Sequence, residues 1–227
     1  NAFANSTNTL TIRPAAGNVA TINGTSTSCI INLNGADWVI FDGSNSGGTD
    51  RSLTISNAST AAATAAVCVT SLGSNLGATN DVIKNCNIAA GSNSAATSFG
   101  IFVGGTSLTS SGTGNDNDNL TIQNNAISKA LYGIYAAAVV SNVNANLLIT
   151  NNLIGSSANA TDQIGQRGIN LVQANNAVIS QNTIFNIVGT QTNPTGIFIG
   201  AGVINSVITR NDINSLKYTG TSGYGGK

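Results

Sequence analysis

The stretch Asn176-Ala177-Val178-Ile179-Ser180-Gln181-Asn182-Thr183-Ile184 decides the fold, because its pattern recurs along the chain. The pattern is Asn, two residues, Ile, two residues, Asn, one residue, Ile. It reads Asn119–Ile122–Asn125–Ile127, then Asn146–Ile149–Asn152–Ile154, and again Asn205–Ile208–Asn211–Ile213. A variant, Asn80–Ile83–Cys86–Ile88, puts Cys in place of the second Asn, and a weaker member starts at Ser52 and Ile55. The central isoleucines Ile55, Ile83, Ile122, Ile149, Ile179 and Ile208 are 28, 39, 27, 30 and 29 residues apart. A near-constant period of this size marks a repeat architecture. The one long gap holds Gly104 to Asn119, a Ser/Gly/Asn/Asp-rich stretch that reads as a loop insertion.

A second pattern is interleaved with the first. Short strands opened by Gly recur as Gly100-Ile101-Phe102-Val103, Gly133-Ile134-Tyr135-Ala136, Gly168-Ile169-Asn170-Leu171 and Gly196-Ile197-Phe198-Ile199. Earlier members are Ile30-Ile31-Asn32-Leu33 and Ala66-Val67-Cys68-Val69. Each repeat therefore carries at least two strands, and the residues around Ile127 or Ile154 supply a third. Strands this short, with Asn or Gly at the corners, suit coils that stack about 4.8 Å apart. Isoleucine at one place in every coil builds an internal apolar column. Asparagine at a bend tolerates the left-handed conformation, and stacked asparagines bond to one another as a ladder. The expected ladder comprises Asn80, Asn119, Asn146, Asn176 and Asn205, with Asn125, Asn152, Asn182 and Asn211. The fold expected is all-β: a right-handed parallel β-helix of about seven to eight coils of roughly 27–30 residues. Residues 1–227 form one such domain, with less regular opening coils over 1–52, regular coils over 53–216, and the start of a further coil at 217–227.

Composition agrees. Only 7% of residues are charged, against a usual level of about 25%. The surface must then consist of Asn, Ser, Thr, Gly and Gln, which disfavour helix. An apolar fraction of 41% argues against disorder. The formal charge is zero, so no basic surface is available to neutralise phosphates, and nucleic acid is not an expected partner. No apolar run approaches the roughly 20 residues a membrane helix needs. The chain opens at Asn1 without Met, as a mature or excised segment would.

The Asn-x-x-Ile-x-x-Asn-x-Ile motifs and the Gly-Ile-aromatic strands resemble the right-handed parallel β-helix repeats of pectate-lyase-like proteins. Leu10-Thr11-Ile12-Arg13-Pro14, together with Leu33-Asn34-Gly35-Ala36-Asp37-Trp38-Val39-Ile40-Phe41-Asp42-Gly43, resembles the opening of large secreted bacterial surface proteins of that class. The resemblance implies an extracellular or cell-surface location. It does not fix activity, since one scaffold serves lyases, hydrolases, adhesins and spacers. Lyases of this kind use carboxylates with calcium and a Lys or Arg base, and hydrolases use paired acids. The acids available are Asp37, Asp42, Asp50, Asp81, Asp116, Asp118, Asp162 and Asp212, and no column of the repeat concentrates them. Asp81, Lys84, Arg210 and Asp212 fall beside the repeated isoleucines and read as solvent-facing strand positions.

Three features carry candidate chemistry. Alternation along the Gly-Ile strands points the middle residues outward, giving a row of Asn32, Cys68, Phe102, Tyr135, Asn170 and Phe198. Its aromatics Phe102, Tyr135 and Phe198 are the candidate ligand-binding residues: either an exposed platform for a polysaccharide, cell-surface glycan or partner, or a row packed under loops such as 104–114. Two oxygen-rich segments are candidate Ca2+ loops: Asn115 to Asn119 with Asp116 and Asp118, and Asp42 to Asp50 with those two carboxylates at its ends. The plainer reading of both is a solvated turn or flexible loop. Cys29, Cys68 and Cys86 read first as small fillers, with Cys29–Cys68 or Cys68–Cys86 bridges as alternatives. The functional expectation is a non-catalytic structural or adhesive solenoid able to stack end to end; the alternative is a carbohydrate-binding module or a polysaccharide lyase or hydrolase.

Overall fold

The computed structural model describes residues 4–95, 97–190 and 193–221. They wind into a parallel β-solenoid of about six turns. The first sheet stacks Leu10–Ile12, Val39–Asp42, Val82–Lys84, Thr121–Gln123, Leu148–Thr150, Val178–Ser180 and Val207–Thr209 in chain order. Coils are counted here from these strands. The second sheet stacks Ala20–Gly24, Leu53–Asn57, Cys86–Ser92, the first half of Ala126–Ala137, Leu153–Ile154, Thr183–Gly189 and Asp212–Tyr218. The third stacks Cys29–Asn34, Thr64–Thr70, Ser98–Gly104, the second half of Ala126–Ala137, Ile164–Val172 and Thr195–Ile199. All pairings between these strands are parallel, as a coil that returns over itself requires.

Three apolar columns fill the interior. The repeated isoleucines form two of them. Phe41, Ile83, Ile122, Ile149, Ile179 and Ile208 are register partners in the first sheet. Ile22, Ile55, Ile88, Ile127, Ile154, Ile184 and Ile213 are partners in the second. Ile55 therefore belongs to the second column, against the sequence expectation that grouped it with Ile83. Phe41 stands in the first column where Ile55 was expected. The third column runs through Ile31, Val67, Ile101, Ile134, Ile169 and Ile197. Each fully buried isoleucine contributes roughly 1.5–3 kcal/mol relative to exposure.

The Gly that opens each third-sheet strand has a packing reason. A Cβ on Gly133 would lie 2.5 Å from the Gly168 carbonyl oxygen and 2.6 Å from Ile154 Cγ2. Gly100, Gly168 and Gly196 meet Ile127, Ile184 and Ile213 in the same way. The second column thus seats its γ-methyls on a glycine column of the third sheet.

The asparagines divide into two kinds. Asn80, Asn119, Asn146, Asn176 and Asn205 sit at one bend with φ between 50° and 59°. Asn125, Asn152 and Asn182 sit inside the next bend, buried, just after a second set of left-handed residues: Asn124, Asn151 and Gln181. Each buried amide accepts from the backbone of the preceding coil. Asn152 Oδ1 takes Asn125 N–H at 3.0 Å and Asn125 Nδ2 at 3.1 Å, while Asn152 Nδ2 donates to Ile122 O at 2.9 Å. The same set repeats from Asn182 to Asn152 and from Asn211 to Asn182. Cys86 ends the ladder, its amide donating to Asn125 Oδ1 at 3.0 Å. A shorter ladder, not visible in the motif, runs Ala78–Asn117–Asn144.

Two loops interrupt the regular winding. Residues 43–52 leave at a bend that the coils from Val82 onward close with one or two residues, and residues 105–119 form the expected insertion. Residues 222–227, within the segment read as the start of a further coil, lie outside the described residues.

Candidate functional site

The outward row of the third sheet exists in the order expected. Asn32, Cys68, Phe102, Tyr135, Asn170 and Phe198 are successive register partners. A second outward row lies beside it: Ala65, Phe99, Tyr132, Arg167 and Thr195. Sequence reasoning missed this row because the irregularity at the opening glycine resets strict alternation. Four rings meet across the rows. Phe102 and Tyr135 are parallel at 5.3 Å, and Phe99 and Tyr132 stack at 5.3 Å.

The exposed-platform expectation is corrected for two of its three aromatics. Phe102 is 0% exposed and Tyr135 2%. Loop 105–114 is the cover: Leu108 joins their cluster, and Gly104 and Gly112 lie against the Phe102 ring. Burial pushes the Tyr135 hydroxyl up to about 12 and raises that of Tyr132. Phe198 is partly exposed, but the Arg167 guanidinium lies 3.8 Å from its centroid and bonds Asn170 Oδ1. Cys68 in the row is bridged to Cys29 of the preceding coil, with Cα atoms 6.0 Å apart. The filler reading therefore holds only for Cys86, a buried thiol that burial pushes up to about 12 and renders inert.

A second place of interest is the bend before the first sheet. Gly35, Asp37, Leu72, Asn75, Leu76, Gly77, Thr79 and Asp116 line a cleft of about 370 Å³. Asp37 accepts from the Thr79 amide at 3.0 Å and its hydroxyl at 2.6 Å. Asp116 accepts from the Asn75 amide at 2.7 Å and from Asn142 Nδ2 at 3.0 Å. Asp118 accepts from the Ala145 amide at 2.6 Å, and burial raises its carboxyl above the usual range. Each carboxylate ties one coil or loop to the next. The expected solvent-facing position of Asp81 is corrected: it is buried, at 0% exposure.

The segment 42–52 is no free loop. Asp50 gathers the hydroxyls of Ser44 at 2.6 Å and Ser52 at 2.7 Å, that of Ser46, and the Asn45 amide at 3.0 Å. These donors hold its carboxyl well below the usual range. Burial opposes ionisation of Asp42, yet the Asn85 amide at 2.7 Å, the Ser44 amide and Lys84 at 3.1 Å lower its carboxyl overall. Arg51 then reaches the fourth coil, donating to Asn124 O and Asn124 Oδ1, both at 2.8 Å. The loop is a strap across the bend asparagines Asn85 and Asn124. Among the described residues, no three His, Cys, Asp or Glu side chains converge as a metal ion would need.

Comparison of the chain with family models, with curated proteins and with solved structures found no match. The arrangement can hold coils together and present a flat polar surface. Its cleft with acids brings together Asp37 and Asp116, with no Lys, Arg, His or Cys among the described residues of the lining.

Proposed function

We propose that this chain is a non-catalytic structural segment of an extracellular or cell-surface protein, a rigid polar rod that spaces or attaches. One observation carries the reading: the side chains that could do chemistry are spent joining coils. Asp37, Asp116 and Asp118 accept from amides and hydroxyls of neighbouring loops and coils, Asp50 is tied up by the donors of its own loop, and the aromatics Phe102 and Tyr135 are covered. The Cys29–Cys68 bridge supports an oxidising compartment, where disulfides persist. A glycan-stacking role has less support, since Arg167 already occupies a face of Phe198.

Incubation with a panel of acidic and neutral polysaccharides tests the reading. Neither unsaturated nor reducing ends should exceed the blank. Products that vanish on Asp37→Asn or Asp116→Asn would overturn it. The last described rung exposes Ile204, Val207, Ile208 and Ile213, an apolar face that a further rung, of the same chain or of a second copy, would cover. Light scattering across concentrations should show rods that lengthen, and that shorten again with Ile208→Lys.

A further inference from the structure

Asp81 stands in a column where the coils below place Leu120, Leu147 and Ala177, all buried. Its Oδ1 accepts from the Val39 amide of the second coil at 2.7 Å. Its Oδ2 is enclosed and has no partner. The equivalent bond between the last two coils, from the Ala177 amide to the next rung, ends on a neutral hydroxyl, Ser206 Oγ at 3.0 Å. Joining coils at this position therefore does not require a charge, and a carboxyl adds only the ability to ionise.

Among the described residues, the charge that acts on that carboxyl is another acid's. On the second coil Asp37 is the titratable neighbour, and its negative charge acts directly on Asp81. On the fourth coil Leu120 is apolar, and the acids of the same bend, Asp116 and Asp118, act on each other. On its own coil Lys84 is committed to Asp42 at 3.1 Å. Asp81 is thus an enclosed acid among acids, at the joint between the second and third coils.

We propose that Asp81, with Asp37, forms a proton-gated clamp: protonated, it locks the second coil to the third, and ionised, it loosens the joint around Val39. Burial, then Asp37, pushes the Asp81 carboxyl up to about 7 against the opposing Val39 bond. The sign follows from linkage. The folded joint holds the proton more tightly than the unfolded chain, so its stability is complete below about pH 4 and drains as pH rises through about 7. Val39 and Phe41 also line the cavity of about 860 Å³ at the amino-terminal end of the core. A loosened joint would open that end first.

Hydrogen exchange of the whole chain, read by mass spectrometry at pH 5.5 and 8.5 and corrected for intrinsic rates, is the test. Protection of peptides spanning 36–42 should fall at least tenfold at pH 8.5 relative to peptides within 146–185. Asp81→Asn keeps the acceptor for Val39 and removes the charge, so its protection should be the same at both pH values. A fall in D81N equal to that of the native chain would overturn the clamp. Should D81N not fold, Asp37→Asn serves: the midpoint of the native change must move to lower pH, and an unmoved midpoint sinks the proposal.

Discussion

In coils four to six, the bend between the first and second sheets takes two residues and is held from inside by Asn125, Asn152 and Asn182. In coil two the same bend opens into loop 43–52, and the ladder stops at Cys86. What replaces it is a set of single devices: the Cys29–Cys68 bridge, the Arg51 strap onto Asn124, and the Asp81 bond to Val39. The contrast teaches how a coil stack is stabilised. Where the period is strict, one amide per turn satisfies the backbone of its neighbours, and the solution propagates. Where an insertion breaks the period, each joint needs its own cross-link.

Four substitutions sharpen or break that contrast. Gly133→Ala strikes the regular half hardest, because its Cβ would meet backbone and Ile154 together; a loss of about 3 kcal/mol or more is expected in urea unfolding. Ala66 occupies the same place in coil two, so Ala66→Gly should change stability far less, and equal losses would mean the glycine column is not the cause. Asn152→Ala leaves the Ile122 carbonyl and the Asn125 amide buried without partners, a cost of about 2–3 kcal/mol. Asn146→Ala, at the exposed bend, should cost only about 1 kcal/mol through its left-handed backbone. A ladder variant no worse than the bend variant would remove the ladder from the account.

Cys29→Ser with Cys68→Ser should cost about 2 kcal/mol, seen as faster proteolysis within residues 24–70 while peptides of coils four to six stay protected. Uniform loosening of the whole rod would show that the two regions are not energetically distinct. Arg51→Ala should have the smallest effect, about 1 kcal/mol, since the guanidinium is half-exposed and partly screened. Its mark is local: exchange at Asn85 and Asn124 rises while that of the regular coils does not.

The repeat was legible from Asn80 onward because each motif is short and local, so Ile83 to Ile208 could be aligned by counting. Ile55 was misplaced for the same reason. Its segment imitates the motif, whereas the true first-sheet members of coil two are Trp38, left-handed at φ 59°, and Phe41. Neither looks like Asn or Ile. Alternation identified the outward row and left it open between an exposed platform and a row under loop 104–114; only the stacked coils decide that the loop lies on Phe102. Asp81 looked solvent-facing because charge suggests water; the turn at Asn80 points it inward instead.

By itself the sequence determined the winding: near-constant spacing of β-branched residues and left-handed-tolerant asparagines leaves the chain few ways to satisfy its backbone other than rung upon rung. Tertiary structure alone decided which face each exception meets. Burial of Phe102, Tyr135 and Asp81, the choice of Cys29 as the partner of Cys68, and the reach of Arg51 depend on what neighbouring coils and loops bring within a few ångströms, and a period along the chain carries no information about that.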